Sequence, residues 1–304
     1  MFCFCFCLAR SLCLLAAPLF LLLSTRCFSF MSNALRFEEY LPFVRELAVQ
    51  AGRKILEYYG TTLSVQTKSD LSPLTQADLE ANSLIVEGLS RLTPHIPVVS
   101  EESELLPYSL RKQWQTFWLV DPLDGTREFL KKNNEFTVNI GLIHEKRSVL
   151  GVIYAPALGL LYYGLAGRGA FKETNSRPPV AIHTSRLPEQ QSLRILVSRS
   201  HESQRMGDFL QHYKAYERVS VGSSLKFCFL AEGQAHVYPR FSPTCEWDVA
   251  AGDAIYSAAR VDPFSETHFG YNKESMLNGP FLIGWVDKEN QQLFERIERE
   301  INLA

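Results

Sequence analysis

A pair of aspartates directly after a hydrophobic run is the feature that most constrains the fold of this sequence. Residues 117–120 read FWLV, and Asp121 and Asp124 follow in the string DPLDGT. Burying two carboxylates at the end of a hydrophobic strand is costly in free energy unless something positive compensates them. The fold must therefore bring a cation to this point of the chain.

Proline and glycine in the same string indicate how both carboxylates can face one space. In an extended strand, Asp121 and Asp124 would lie roughly 10 Å apart on opposite faces. Pro122 fixes its own φ and holds Asp121 in the β region, so we expect the strand to end there and a turn to begin. Gly125 permits the backbone geometry that completes the turn. With the Leu123 carbonyl, three hard oxygens then lie in one turn, which suits Mg²⁺.

Two further acidic segments favour a metal site over the plain surface turn that a bare Asp-Gly pair would indicate. The string VVSEES ends a short strand with Glu101 and Glu102, although such a pair alone is usually a solvated face. The string CEWDVAAGDAI places Asp248 at a helix start, where a lone aspartate is most often an N-cap. Small residues at 250–252 allow close approach of that helix to a neighbour. Together these sites supply enough negative charge for two divalent ions.

Composition places the chain among ordinary soluble globular proteins. It has 304 residues, of which 46% are apolar and 21% charged, so one large or two medium domains are expected. The net charge of −2 argues against a general nucleic-acid binder. The sequence contains no G-x-S-x-G, H-E-x-x-H or Walker-type glycine string, so no motif indicates a covalent nucleophile.

The first thirty residues differ from the rest of the chain. They contain five of the seven cysteines and no acidic residue. Their apolar run at 12–23 is shorter than the roughly twenty residues of a membrane span and resembles the core of a signal peptide. Arg26 stands where a cleavage site needs a small residue, so we expect translation to start at Met31, with a weak hydrophobic anchor as the competing interpretation.

The two remaining cysteines do not form a disulfide framework, which favours a reducing compartment. The expected location is the cytoplasm, with peripheral association at the cytoplasmic face of the inner membrane left open. The sequence does not determine the oligomeric state.

Hydrophobic periodicity predicts an α/β fold with two unlike halves. The first half is mixed α+β, with predicted helices at 37–59 and 75–92 and strands at 96–99, 117–120, 136–143, 149–154 and 160–165. The string GLAGRGAF has the wrong glycine order for a dinucleotide loop and predicts a hairpin. The second half alternates in α/β manner, with strands at 193–198, 217–221, 235–239 and 281–286 and helices at 204–213, 224–232, 247–259 and from 288.

Polar residues and prolines near 178–189 predict a domain boundary. The expected units are the N-terminal extension at 1–30, an α+β metal-binding domain at 31–187 and an α/β substrate-specificity domain at 188–304.

The three acidic strings, in this order, resemble the lithium-sensitive, magnesium-dependent phosphatase superfamily that contains inositol monophosphatase and fructose-1,6-bisphosphatase. The match runs from Phe37 to the C-terminus and rests on a strand-end S-E-E, a D-P-[IL]-D-G-T turn and a W-D-x-A-A-G helix start. The resemblance implies a layered α-β-α-β-α sandwich and two or three Mg²⁺ ions. It implies, as metal ligands, Glu101, Asp121, the Leu123 carbonyl, Asp124 and Asp248.

The same resemblance implies roles in substrate binding and water activation. The amides of Gly125 and Thr126 would bind the phosphate, beside Glu101, Leu123, Asp124 and Asp248. In the string SPLTQAD, Asp78 matches the family carboxylate that orients the attacking water together with Thr126. Glu101 is counted with this catalytic pair. A two-metal site can activate water and neutralise a leaving oxygen without a covalent nucleophile.

Within that superfamily, the strings VSRSH (197–201) and GSSLK…YPR (222–240) resemble bacterial 3′(2′),5′-bisphosphate nucleotidases more than inositol monophosphatases. The resemblance implies hydrolysis of adenosine 3′,5′-bisphosphate to AMP and phosphate, which recycles a by-product of sulfate assimilation. His201, Lys226 and Arg240 are the candidates for the base and the second phosphate, although each also fits an ordinary structural or solvated role. The alternatives are an inositol or sugar-phosphate phosphatase and a non-catalytic phospho-ligand sensor.

Overall fold

The helices of this chain pack on a seven-stranded sheet and a four-stranded sheet. The computed structural model describes residues 37–61, 66–67, 73–174, 177–185, 192–200, 204–213, 215–261, 269–284 and 288–302. Within these ranges the helices are α1 (Leu41–Tyr58), α2 (Gln76–Leu92), α3 (Tyr108–Arg111), α4 (Thr126–Leu130), α5 (Gln204–Gln211), α6 (Leu225–Ala231), α7 (Glu246–Ala259) and α8 (Lys288–Asn302).

The strands of the larger sheet run in the order β3 to β9 from one edge to the other. They are β3 (Val98–Ser100), β4 (Thr116–Asp124), β5 (Thr137–His144), β6 (Arg147–Ala155), β7 (Leu160–Leu165), β8 (Gly169–Thr174) and β9 (Arg177–Ile182). The pair β3–β4 is parallel and the other neighbours are antiparallel. A short hairpin, β1 (Gln66–Thr67) with β2 (Pro73–Leu74), precedes α2.

The smaller sheet has the order β11-β10-β12-β15. Its strands are β10 (Leu193–Ser198), β11 (Tyr216–Val221), β12 (Val237–Arg240) and β15 (Phe281–Gly284). β10 is parallel to β11 and β12, whereas β15 is antiparallel to β12. A separate two-stranded ladder, β13 (Thr244–Cys245) with β14 (Leu277–Asn278), lies just before α7.

Successive side chains of each strand point to opposite faces of its sheet. They form three hydrophobic clusters, which hold five layers of helices and sheets together. Trp118 and Val120 of β4 pack with α1 and α2, while Phe117 and Leu119 on the other face pack with α6 and α7. The opposite side of α6 and α7 meets the smaller sheet, whose outer face packs with α5 and α8. The order is therefore helix, sheet, helix, sheet, helix, and the predicted α/β sandwich is confirmed.

A row of glycines lets α7 lie directly on the larger sheet. Gly141, Gly151 and Gly164 stand opposite one another on β5, β6 and β7. A Cβ on Gly141 would lie 2.9 Å from the Ala250 side chain, and a Cβ on Gly151 would overlap the Ala251 carbonyl oxygen. The small residues of α7 were predicted to permit close approach; the matching glycines of the sheet complete that contact.

Most predicted elements are confirmed, with boundaries shifted by a few residues. The string GLAGRGAF forms the β7–β8 hairpin, with Leu165 opposite Gly169. The prediction that the strand ends at Asp121 is wrong, because β4 continues to Asp124. Its pairing with β5 shifts between these two aspartates, and such an irregularity accommodates a proline that has no N–H to donate.

Two predictions fall on parts of the chain outside the described residues. The boundary between 187 and 188 lies within 186–191, so the division into two domains stays a prediction. The extension at 1–30 also lies outside the described ranges. Among the residues that are described, no helix is both long enough and apolar enough to cross a bilayer.

Candidate active site

Three carboxylates from distant segments meet at one end of the larger sheet. Glu101 follows β3, Asp121 lies in the neighbouring parallel strand β4, and Asp248 stands in the first turn of α7. One carboxylate oxygen from each lies within 4.8 Å of the other two. The carboxyl ends of parallel strands reach the same edge, so the sheet itself brings the first two together. The cluster includes Glu101 and not its neighbour Glu102.

The irregular end of β4 orients the oxygens around this cluster. The Leu123 N–H donates to Asp121 Oδ1 at 3.1 Å, and Asp121 is almost fully buried. Gly125 has φ +87°, a left-handed conformation that favours glycine, and α4 begins at the next residue. The irregular pairing and this glycine reverse the chain after Asp124, where a turn was predicted; Asp121 joins the carboxylate cluster and Asp124 lies beside it.

Asp124 adjoins the three carboxylates but is held from another direction. Its Oδ2 accepts the Ser224 N–H at 2.5 Å and the Asn139 side-chain amide at 3.4 Å. Burial raises the pKa of Asp124 to about 6, and the nearby Lys226 ammonium opposes that rise. This aspartate therefore lies at the junction of the two sheets, between β4 and α6.

Burial and mutual repulsion oppose full ionisation of the clustered carboxyl groups. Burial raises the pKa of Asp248 to about 8, and the carboxylates of Asp124 and Glu101 add to the rise. Such a shift is expected where carboxylates share a site without a cation. Carboxylate oxygens with a neighbouring backbone carbonyl are hard donors of the kind that Mg²⁺ prefers, so the residues present fit a divalent ion.

A second polar pair lies behind Leu123. Asp78 is buried in the first turn of α2, where its Oδ2 accepts the Thr75 N–H at 2.8 Å and the Thr75 hydroxyl at 2.5 Å. Its other oxygen, Oδ1, is 3.4 Å from the Thr126 hydroxyl, which is also 3.3 Å from the Leu123 carbonyl oxygen. The structure thus brings together the two residues paired by the sequence analysis.

The candidate specificity residues have different surroundings. Lys226 lies in the cleft wall but is buried, and its Nζ donates to the carbonyls of Val221 at 3.2 Å and Ser223 at 2.7 Å. Burial, together with the positive charge of Arg240, lowers the pKa of Lys226 to about 8. Arg240 also lines the cleft and donates from Nε to the Ser242 carbonyl at 3.2 Å.

His201 lies outside the described residues, so its role stays a prediction. Arg199, in the same VSRSH string, is bound by the Glu135 carboxylate at 2.5 and 2.7 Å and by the Ser220 carbonyl at 2.8 Å. This contact joins the loop before β5 to the end of β10.

A buried network of hydroxyl and amide groups, which was not predicted from the sequence, holds the residue that binds Asp124. The Ser224 hydroxyl is 2.7 Å from Asn139 Oδ1 and 2.8 Å from the Thr137 hydroxyl, which also donates to Asn139 Oδ1 at 3.0 Å. All three residues are nearly fully buried. The available signal was the polar Thr137 and Asn139 inside the otherwise apolar run of β5, because a buried polar side chain needs a partner.

A cleft of about 260 Å³ at the junction of the two sheets contains the acidic residues Glu101, Asp121, Asp124 and Asp248 together with Thr126, Lys226 and Arg240. Its wall contains the four acidic residues and the start of α4 on one side, and residues of α6, β12 and the end of β10 on the other. Besides the residues described above, it is lined by Arg127, Glu128, Ser198, Phe227, Tyr238, Thr244 and Val249.

Comparison with known proteins shows which family the chain resembles. The family model described as "Inositol monophosphatase family" matches residues 37–290. A 3′(2′),5′-bisphosphate nucleotidase CysQ of Salmonella typhimurium is 44% identical over 245 residues, which is 79% of this chain and 97% of that protein.

Comparison with solved structures gives the same family. CysQ from Bacteroides thetaiotaomicron, described as a bacterial member of the inositol monophosphatase family, superposes with a TM-score of 0.68 at 36% identity, covering 84% of this chain and 97% of that one. The extragenic suppressor protein suhB of Bartonella henselae has a TM-score of 0.69 at 25% identity, over 86% of this chain and 99% of that one.

Proposed function

Because this chain belongs to the inositol monophosphatase family, we propose that it is a divalent-metal-dependent 3′(2′),5′-bisphosphate nucleotidase. The proposed reaction converts adenosine 3′,5′-bisphosphate and water to AMP and inorganic phosphate. The relative from Salmonella typhimurium is named for this substrate class, which supports the choice of substrate. In a cell that assimilates sulfate, such an enzyme would recycle the bisphosphate by-product.

The observation that carries the proposal is the convergence of Glu101, Asp121 and Asp248 beside Asp124. These carboxylates, with the Leu123 carbonyl, are the proposed ligands for Mg²⁺. Bound divalent ions would supply Lewis-acid chemistry, lowering the pKa of water and neutralising negative charge on the phosphate. The raised pKa of Asp248 supports this, because a bound cation would favour the ionised carboxylates.

Asp78 and Thr126 are the proposed pair that orients the attacking water and accepts its proton. Thr75 satisfies one oxygen of Asp78, so the other oxygen is left to accept from the Thr126 hydroxyl. A hydroxyl fixed in this way can accept from a water while it donates to the carboxylate. Phosphoryl transfer depends mainly on positioning and charge stabilisation, so this chain needs no covalent nucleophile.

Lys226 and Arg240 make the far wall of the cleft positive, and this supports a substrate with a second phosphate. Because Lys226 is buried and its ammonium binds two backbone carbonyls, we assign it the role of holding the 221–223 segment and contributing charge at a distance. Arg240, which is half-buried, is the residue proposed to contact the second phosphate. The amides of Gly125 and Thr126 are proposed to bind the phosphate that is released.

The test is turnover by the purified chain with Mg²⁺ on adenosine 3′,5′-bisphosphate, inositol 1-phosphate and fructose 1,6-bisphosphate. We expect the highest kcat/KM on the adenosine bisphosphate. Preference for an inositol or sugar phosphate would replace the proposed substrate and keep the phosphatase. Absence of turnover on all three would contradict the proposed enzyme and favour a phospho-ligand sensor.

The catalytic assignment is tested by Asp121→Asn, with Glu104→Gln as the control. Glu104 is exposed in the loop after Glu101 and lies outside the acidic cluster. Because the Asp121→Asn change would remove a charge that holds the cation, kcat should fall on the order of 10²–10³-fold, as when other electrostatic groups are removed from active sites. Glu104→Gln should keep normal kcat, and near-normal activity of Asp121→Asn would contradict the site.

A further inference from the structure

A buried network outside the cleft connects the segment after Glu101 to the helix that carries Asp248. We call it the Arg111–Glu246 network, and it consists of Arg111, Glu246 and the loop residues 272–274 that lie between them. Arg111, Asn272 and Glu246 are 1%, 4% and 0% exposed. Two opposite charges removed from water in this way need well-formed hydrogen bonds on every side.

Glu246 anchors the loop to the first turn of α7. Its two carboxylate oxygens accept the backbone N–H groups of Asn272 at 2.7 Å and Lys273 at 2.8 Å. The Lys273 ammonium adds an ion pair at 3.0 Å, and the Glu246 N–H donates to the Met276 carbonyl at 2.8 Å. Glu246 precedes Asp248 by two residues, so the loop binds the same helical turn that carries the Asp248 carboxylate.

Arg111 anchors the same loop to the segment that follows Glu101. Its guanidinium donates to Asn272 Oδ1 at 3.0 Å, to the Lys273 carbonyl at 2.7 Å and to the Glu274 carbonyl at 2.6 Å. A further donor, Nε, binds the Leu106 carbonyl at 3.2 Å, and the Asn272 amide returns a hydrogen bond to the Arg111 carbonyl at 2.7 Å. The planar fork of arginine suits this set of acceptors, and lysine could not reproduce it.

The network matters for the site because the larger sheet holds Glu101 and Asp248 at different strands: the Glu101 N–H donates to the Val120 carbonyl of β4, whereas α7 lies on β5, β6 and β7. Glu101 follows the edge strand β3, which is three residues long, whereas Asp248 lies on α7. The loop at 272–274 contacts both segments, one through Arg111 and the other through Glu246. A small change in either contact would alter the separation of the two carboxylates, and a hard cation is sensitive to that separation.

We propose that Arg111 and Glu246 are positioning residues that set the distance between the Glu101 and Asp248 carboxylates and so determine divalent-ion affinity. The inference rests on the proposed metal site. It does not depend on which phosphate ester is the substrate. Neither residue lines the cleft, so their effect on turnover is indirect.

The test measures Mn²⁺ binding directly, by the electron paramagnetic resonance signal of the free ion at a fixed temperature. Glu246→Gln keeps the shape of the side chain but loses the charge and presents an amide donor to one of the two loop N–H groups. We expect its Kd for Mn²⁺ to rise about tenfold or more, as for other groups that orient metal ligands. Glu274→Gln is the matched control, because that side chain is exposed on the same loop, and its Kd should not change.

A purely structural role would have a different signature. It would lower the melting temperature of the metal-free protein and leave the Kd of the folded protein unchanged, and this result would overturn the inference. Lys273→Met gives a milder second test, because it removes the ion pair but keeps both backbone hydrogen bonds. It should weaken Mn²⁺ binding less than Glu246→Gln, and an unchanged Kd in both variants would overturn the inference.

The two proposals fail in distinguishable ways. If the wild-type chain does not bind Mn²⁺, the proposed metal site and this inference both fall. If the wild type binds Mn²⁺ and Asp121→Asn does not, while Glu246→Gln binds normally, the metal site stands and only the positioning role of the network falls.

Discussion

Asp78 and Asp248 occupy equivalent positions in two different helices. Each stands in the first turn and closes a capping box, in which its Oδ2 accepts the backbone N–H of the cap residue at 2.8 Å. The helix start thereby fixes the carboxyl group through its own backbone. The alternative considered for a lone aspartate, a plain N-cap, does not describe Asp248, since Cys245 is the cap and Asp248 lies three positions inside it.

The raised pKa of Asp248 predicts a pH-dependent effect of Asp248→Asn on the metal-free protein. A carboxyl group whose pKa is about 8 in the folded state and 3.8 when fully solvated binds its proton more tightly when folded. Its contribution to stability is therefore present at low pH and is lost as the pH rises from about 4 to about 8. Asparagine does not ionise, so the variant should gain stability relative to wild type between about pH 5 and pH 8.

Urea unfolding of the variant and the wild type, with EDTA present, at about pH 5 and about pH 8 measures this change in unfolding free energy. A difference in unfolding free energy between variant and wild type that is the same at both pH values would contradict the assigned shift.

For individual residues, the sequence indicated the charged side chains of the site but not the hydrogen-bonding groups that fix their positions. Glu101, Asp121 and Asp248 are visible because each follows a recognisable local pattern. The Ser224 N–H that binds Asp124 comes from a segment 100 residues away, and no local pattern encodes that contact. The burial of Lys226 was missed for the same reason, since it depends on how α6 packs between the two sheets.

Among the elements, α7 shows how backbone contact positions a functional side chain. It lies over the glycines of β5, β6 and β7, and on its other side Gly252 leaves room for the Phe227 ring. The period of small residues in α7 was readable from the sequence. The glycine row was not, because Gly141, Gly151 and Gly164 become neighbours only when the three strands pair in register.

Gly151→Ala should therefore destabilise the fold, because the added methyl would overlap the Ala251 carbonyl oxygen and backbone cannot easily move away. Overpacking of this kind costs about 1–3 kcal/mol. Gly207→Ala is the control, since it stands within α5 and, among the described residues outside its own helix backbone and chain neighbours, no atom lies within 4 Å of the position its Cβ would take. There alanine should stabilise by roughly 0.5–1 kcal/mol. Urea unfolding of both variants gives the two signs, and equal effects would contradict the close contact.

For β4, the sequence interpretation was wrong for a physical reason. A proline after an apolar run normally ends a strand, but here pairing with β5 resumes at Asp124 after one irregularity. The partner strand decides this outcome, and its register cannot be read from the DPLDGT string alone.

For the whole molecule, the alternation of strands and helices was sufficient to predict the α/β class, and the family resemblance supplied the five-layer arrangement. The order of strands in each sheet was not predicted, because it depends on pairings between segments far apart in the chain. The division at 187/188 remains a prediction.

Removing residues 1–30 should leave folding and activity unchanged. The described core begins with Phe37, which is 4% exposed and packs its ring against His144 at 5.2 Å. A chain that starts at Met31 should therefore show the melting temperature and kcat/KM of the full chain. A chain that starts at residue 46 loses Phe37 and Val44 from the core and should melt at a lower temperature. Loss of activity in the first variant would show that the extension contributes to the domain.

The contact between α7 and the glycine row also has a consequence for how the cleft can respond to different substrates. One wall, which carries Asp248, rests on the larger sheet through close contacts between the α7 backbone and the row of glycines. The opposite wall is formed by short segments of the smaller sheet and α6. We expect adaptation to larger or smaller phosphate esters to occur mainly on that second wall, so a change of substrate would leave Asp248 in place.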